Sequence, residues 1–358
     1  MKVYQGNVVT ENAVLENGYV GVEDGKIVYV GENCPPNGTV FRYPDCYIAP
    51  GFIDIHCHAG GPLMAYDDPV GVAAYHLAHG TTSLLLTFYR DVPHEKRLSC
   101  LLQVKDLIGK SNVVGAHLEG PVLNANFGTG SGNAQPLPAD IPYDAYIKTG
   151  VVRQWTTSPE VEGVPDMIRD IAAAGIVPAI GHSKASYAQV AAAYAAGARI
   201  VTHIFDATGT TRDPATMGGT EDISFDEACM LMDDMFYEVI CDSDWIHVKR
   251  EKLALLIKTV GLDRVVAITD SFLTDGNEAR DVNIFTANGH DSLSGSKLTM
   301  DRVAANLHGA GYDAVTVAKL TATNAARAIG LADRGVIAEG KKADLVVLDR
   351  NMRLLQVL

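Results

Sequence analysis

The chain is poor in the features that mark several classes of function. Its six cysteines (Cys34, Cys46, Cys57, Cys100, Cys229, Cys241) are scattered over 358 residues with no CxxC pair. That excludes a disulfide framework or a thiolate zinc knot and reads as buried or free thiols in a reducing cytoplasm. Positive charge is scarce: Lys+Arg number 29 against Asp+Glu 43, a formal net charge of -14. There is no basic cluster and no run of five or six like charges, so nucleic acid and anionic membrane are not expected partners. No stretch approaches the ~18–20 apolar residues of a membrane span. The N-terminus lacks the basic and apolar regions of a signal peptide. Neither a GxGxxG nor a Walker sequence occurs, which removes the usual signs of a nucleotide cofactor.

What is present is ordinary globular composition, 47% hydrophobic and 20% charged. Length over ~150 suggests about two domains, although one α/β barrel can use ~250 residues. Short β-rich runs and turn signals fill the first part of the chain, where Asn17-Gly18 and Asp24-Gly25 are hairpin cues. The end, GVIAEGKKADLVVLD, has the same character, and little chain follows it, so a final strand there is expected to be short or missing. One small sheet built from both ends is predicted.

The middle alternates apolar β-branched runs with helix-like stretches. The runs are Ile48–His56, Thr81–Phe88, Val113–Glu119, Val151–Thr157, Ile176–His182, Arg199–Phe205, Phe236–Asp242 and Val265–Asp270. Helices are expected over Val70–His79, Lys96–Ile108, Ala185–Ala195 and Lys249–Thr259. Continuous apolar strands alternating with helices predict a parallel sheet covered on both faces. Eight such units suit a (β/α)8 barrel of TIM type.

The ends of these runs carry the chemistry. His56 and His58 are two apart and point the same way on a strand. Glu119, His182, His203 and Asp270 close four other runs, and Asp242, Asp244 and His247 follow the seventh. In a barrel these strand ends share one rim. Singly, each has a bland explanation: a hydrogen-bonded core histidine, or a helix-capping carboxylate. Together they provide donors for one or two divalent ions, with a carboxylate able to bridge two ions ~3.5–4 Å apart. Such ions can lower the pKa of a water to ~7, and Asp270 is then placed to take its proton. Metal-dependent hydrolysis is the expected chemistry. Zn, Fe, Mn and Co all suit His/carboxylate donors, with Zn first. His76 and His79, three apart on a helix, are expected at the surface. His117 is expected to pack, and His94, His290 and His308 have no assigned role.

The runs PGFIDIHCHAG, HLEGP, GHSKA, THIFDA, DWIHV, AITDS, LSGSKLTM, TATNAARAIGL and GVIAEGKKADLVVLD resemble, in order and over nearly the whole chain, the amidohydrolase superfamily. HLEGP with LSGSKLTM is most similar to its N-acetylglucosamine-6-phosphate deacetylase family. The resemblance implies a (β/α)8 barrel over 49–332 with a small β-sandwich from 1–48 plus 333–358, a cytoplasmic homodimer, and deacetylation of a small-molecule amino sugar phosphate. Carried over by position, Glu119, His182 and His203 form the shared metal site, His56 and His58 a second one, and Asp270 is the general base and acid. Asp206, Ala207, His247, Leu293, Ser294 and Gly295 line the substrate pocket, and Arg212 contacts its phosphate.

The departures lie on the substrate side. Gly132 stands where the family has a histidine that polarises the substrate carbonyl. Asp206 replaces an Asn, Trp245 replaces a Gly and would narrow the pocket, and the Arg212 loop is short. Two alternatives therefore stay open: hydrolysis of a different small amide, cyclic imide or heterocycle, and a catalytically silent ligand-binding homologue.

Overall fold

A computed structural model describes residues 1–127, 136–209, 222–273, 280–287 and 290–358. The first strands are β1 (Lys2–Val9), β2 (Val14–Glu23), β3 (Lys26–Gly31) and β4 (Thr39–Pro50). They are followed by β5 (Phe52–Cys57), a small ribbon of β6 (Ala59–Gly60) and β7 (Leu63–Met64), and α1 (Pro69–Ala78). Strand and helix then alternate through β8 (Thr81–Tyr89), α2 (His94–Leu107), β9 (Val113–Glu119), α3 (Tyr143–Lys148), β10 (Val152–Thr157), α4 (Val164–Ala173), β11 (Val177–Ile180) and α5 (Tyr187–Ala196). Next come β12 (Ile200–Val201), α6 (Phe225–Met230), β13 (Phe236–Ile240), α7 (Arg250–Val260) and β14 (Val265–Ile268). The chain ends with the hairpin β15 (Val282–Ala287) and β16 (His290–Ser296), then α8 (Met300–Gly309), α9 (Ala314–Ala318), α10 (Asn324–Ala328), β17 (Leu345–Leu348) and β18 (Leu354–Val357).

Eight parallel strands, β5 and β8 through β14, stand side by side in sequence order. Every residue of β5, β9 and β14 is buried, as strands covered on both faces must be. The seam between the last and first strands is drawn together where the Asp270 N–H donates to His56 O at 2.9 Å and Cys57 bridges Ser271 in parallel. This is the predicted (β/α)8 barrel. Helix starts are marked by ordinary caps: Asp68 accepts from the Gly71 N–H at 2.8 Å with Pro69 opening α1.

The small sheet joins both ends of the chain in the order β18-β17-β4-β1-β2-β3. It has its own apolar cluster of Tyr4, Val8, Val20, Ile27, Ile48, Ile337 and Leu345. Two expectations are corrected here. The single run Ile48–His56 is two strands: β4 continues to Pro50 in the small sheet, and β5 starts the barrel at Phe52. The Asn17-Gly18 pair does not form a hairpin. It lies within β2, where the register with β1 slips between Gly6 and Val8, and Asn17 takes the left-handed conformation at φ 51°. The turn cue is satisfied by a bulge, because the same left-handed backbone serves both. Asp24-Gly25, at φ 49° and 72°, does make its hairpin between β2 and β3. No helix among the described residues is long and apolar enough to cross a membrane.

Candidate metal centre and active site

His56 is next to last in β5 and His58 lies just beyond it, Glu119 is the last residue of β9, and His182, His203 and Asp270 lie two residues beyond β11, β12 and β14. All six are at the carboxyl ends of barrel strands. His182, His203 and Asp270 have φ of 47°, 26° and 45°. This left-handed backbone is uncommon outside glycine and is held only where the surroundings over-determine it. It turns three strand ends sharply into the following loops.

The side chains meet around Glu119. Its Oε1 lies 2.8 Å from His182 Nε2 and 3.2 Å from His203 Nε2. Its Oε2 lies 3.2 Å from His58 Nε2, and His56 Nε2 is 3.5 Å from Oε1. Asp270 Oδ1 closes the ring at 3.4 Å from His56 Nε2 and 3.3 Å from His58 Nε2. Two overlapping donor groups result, His56/His58/Glu119 and Glu119/His182/His203.

A metal fits these residues on the chemistry of the donor set. His56 Nε2 is 3.2 Å from His58 Nε2, and His182 Nε2 is 3.1 Å from His203 Nε2. The His56 Nδ1–H donates to Glu238 Oε2 at 3.1 Å, and the His203 Nδ1–H donates to Asp206 O at 3.0 Å. When neutral, both rings therefore turn a bare Nε2 lone pair inward. Such lone pairs packed against neighbouring nitrogens and carboxylates call for a cation. In the bare protein only protons can supply it. Burial alone would push His58 and His203 down, but the Asp270 and Glu119 carboxylates raise them to about 9 and about 10. Burial would raise Glu119 and Asp270, yet the facing histidines, His56 first, hold both below the usual carboxylate range.

Beside this centre lie the residues expected to line a substrate pocket. Asp242, fully buried, accepts from the Ile246 and His247 amides and from His247 Nδ1–H at 2.9 Å. That contact leaves His247 Nε2 3.3 Å from Gly295 O. Gly295, at φ 61°, needs to be glycine: a Cβ there would be 2.6 Å from Asp270 O. The Ser296 N–H donates to Asp270 O at 2.8 Å, so β16 with Leu293, Ser294 and Gly295 runs beside the Asp270 strand end. The Asp206 backbone carbonyl anchors His203, and Ala207 follows it in the left-handed region at φ 51°. Trp245 is buried at φ 54°, with the Arg250 guanidinium 5.2 Å from its ring centroid. Asp244 is half exposed and pairs with Arg280 at 3.7 Å, away from the metal donors. Arg212 and Gly132 lie outside the described residues.

Other histidines separate clearly. His117 gives both ring nitrogens to threonine hydroxyls, Thr87 at 3.2 Å and Thr156 at 2.8 Å, and packs edge-on against His56. His76 is not at the surface as expected. It is 0% exposed, its Nε2–H donates to Ala59 O at 2.8 Å, and it lies 3.1 Å from Cys57 Sγ. The inner face of α1 carries it under the loop that follows β5.

Sequence reasoning missed the buried polar layer beneath the centre. Glu238, Gln154, Asp54 and Thr269 are all fully buried. Asp54 accepts from Thr269 Oγ1–H at 2.6 Å, and burial raises it to about 6. The available signal was an ionisable residue inside an otherwise apolar run, as Glu238 is within Phe236–Ile240.

The amidohydrolase family model matches residues 47–357, and a model described as the BsNagA composite domain matches residues 4–37. The N-acetylglucosamine-6-phosphate deacetylase of Bacillus subtilis (strain 168) is 29% identical, covering 97% of this chain and 93% of its own. The N-acetylgalactosamine-6-phosphate deacetylase of Shewanella sp. (strain ANA-3) is 26% identical, covering 98% and 92%. The crystal structure of N-acetyl-D-glucosamine-6-phosphate deacetylase from Mycobacterium smegmatis aligns at a TM-score of 0.87 and 26% identity, over 100% of this chain and 98% of that one. A mutant of that enzyme, solved in complex with N-acetyl-D-glucosamine-6-phosphate, aligns at 0.85 and 26% identity over 100% and 97%.

Proposed function

The chain belongs to the amidohydrolase family, and from its site we propose that it removes the acetyl group of an N-acetylated amino sugar phosphate, N-acetylglucosamine 6-phosphate first. The products are acetate and the amino sugar phosphate. The observation that carries this reading is the single carboxylate of Glu119 shared by two histidine pairs, with Asp270 facing one of them at 3.3–3.4 Å.

Divalent ions, zinc first, would be held by His56, His58, Glu119, His182, His203 and Asp270, and would supply Lewis acidity together with a water of lowered pKa. The chain's own residues do the rest. Asp270 is ionised beside His56 and His58, so it accepts the proton of the attacking water and passes it to the departing amine nitrogen. His247, fixed by Asp242, presents Nε2 toward Gly295 and holds a substrate oxygen. Leu293, Ser294 and Gly295 form the wall of the pocket, Asp206 and Ala207 lie beside the sugar, and Arg212 takes the phosphate.

We assign the chain to the cytoplasm on its six free thiols. The homodimer implied by the resemblance predicts twice the chain mass in sedimentation.

The test is acetate release by the purified protein from N-acetylglucosamine 6-phosphate, its galactosamine epimer and the unphosphorylated sugars. The 6-phosphates are the expected substrates, with activity lost on chelation and restored by Zn, Mn, Co or Fe. Release from unphosphorylated sugars alone removes the phosphate role of Arg212; Asp206, which stands where the resembling family has Asn, is the reason for this arm. No release from any of them favours another amide or cyclic imide.

A further inference from the structure

The two halves of the metal centre are built alike but anchored differently. Each has one imidazole whose outer nitrogen is tied down, His56 and His203. Each has one whose buried Nδ1 has no partner among the described residues, His58 and His182. The anchor of His203 is neutral, the Asp206 backbone carbonyl. The anchor of His56 is a full carboxylate.

That carboxylate is Glu238 on β13. The preceding Tyr237 sends its hydroxyl out to Cys229 O on α6 at 2.7 Å, so Glu238 points the other way, into the barrel. It is 0% exposed. Gln154 Nε2–H donates to its Oε1 at 2.6 Å, and Oε2 takes the His56 Nδ1–H, with a longer contact of 3.4 Å to the His203 amide. Among the described residues its only ion-pair partner is His56. A carboxylate this deep needs its oxygens satisfied, and no Lys or Arg among the described residues reaches it. Its contact with the His56 ring ties it to whatever that ring's inner nitrogen faces.

We propose that Glu238 is a positioning residue for the His56/His58 half of the metal centre, setting the tautomer and ring orientation of His56 and thereby the affinity of the ion held there, while the imidazoles of His182 and His203 take no contact from it. This rests on the metal-dependent reading above. It differs from a packing role because packing would not distinguish one ion from the other.

The experiment uses the full chain stripped by a chelator and titrated with Co²⁺, following visible absorption and calorimetric stoichiometry. The unaltered chain is expected to bind two ions. In Glu238→Gln, which keeps shape and an acceptor but loses the charge, one ion should weaken about 10–100-fold, as is typical when a ligand's outer partner is lost. Its absorption band should be lost with it and the other ion left unchanged. Glu238→Asp should recover part of the affinity. Gln154→Met keeps the carboxylate but removes its support, so it should weaken the same ion by less, and it stands in if Glu238→Gln fails to fold. Two unchanged ions in Glu238→Gln, or equal weakening of both, overturns the proposal. One ion in the unaltered chain overturns it while leaving a one-metal hydrolase, and no ion at all sinks the metal reading itself.

Discussion

The Asp270 backbone N–H donates to the carbonyl of His56 at 2.9 Å, and the Asp270 carboxylate returns to 3.4 Å from the His56 ring. These two residues come from the last and first strands of the barrel. The same contact that draws the seam together therefore sets the distance between a proposed metal ligand and the proposed proton carrier. Cys57 and Ser271, the next residues along, extend the seam as a parallel bridge. Fold closure and site geometry are one event here, and the expected behaviour of variants follows from that.

Asp270→Asn keeps the seam, because the backbone bond remains, and removes the proton acceptor. Acetate release should fall about 10²–10⁴-fold while most of the metal, held by the other five donors, is retained on the same preparation. Activity within tenfold of the parent would show that another group carries the proton.

Glu119→Gln should act on both halves of the centre at once. Its oxygens are divided between His58 on one side and His182 and His203 on the other. Both ions should weaken by more than the ~10–100-fold of an outer-partner loss, read as metal retained after dialysis. Loss of one ion only would mean that the carboxylate serves one half.

Gly295→Ala should destabilise the substrate side. The new Cβ would meet Asp270 O at 2.6 Å on a backbone already at φ 61°. About 1–3 kcal/mol of strain is expected, read as a lower urea midpoint, with reduced kcat because Asp270 must shift. A variant as stable and active as the parent would mean that β16 can move away freely.

His76 should make stability depend on pH. Burial lowers it from 6.5 to about 4. The unfolded chain therefore binds a proton between those values that the folded chain does not. The contribution is fully present above about pH 6.5 and is lost as pH falls toward 4, to the extent of roughly 3 kcal/mol at 1.36 per unit. Urea unfolding of the parent and of His76→Gln at pH 7 and pH 4.5 isolates it. The parent should lose more stability across that interval than the variant, and equal losses would contradict the assignment.

Much of this was readable in the chain. The eight apolar runs fall on the eight barrel strands because a strand covered on both faces has to be apolar along its length. The residues at their ends meet because a parallel barrel puts every carboxyl end on one rim. The exceptions share a cause. Ile48–His56 looked like one strand because hydrophobicity does not say which sheet a residue joins. His76 looked like a surface residue because three-residue spacing on a helix does not say which face is covered. Asn17-Gly18 looked like a hairpin because a residue that accepts left-handed backbone, as Asn17 does at φ 51°, suits a bulge as well as a turn.

The sequence by itself determined the kinds of side chain at each strand end, and so the class of chemistry: imidazoles and carboxylates at that spacing suit divalent ions. The tertiary structure alone decided that Glu119 lies between two histidine pairs, that Glu238 reaches His56 across the barrel interior, and that Asp270 joins the seam. Local pattern records how a residue is buried relative to its neighbours in the chain. Which distant side chains then share a few ångströms depends on how strands far apart in sequence are brought into register, and only the closed barrel sets that.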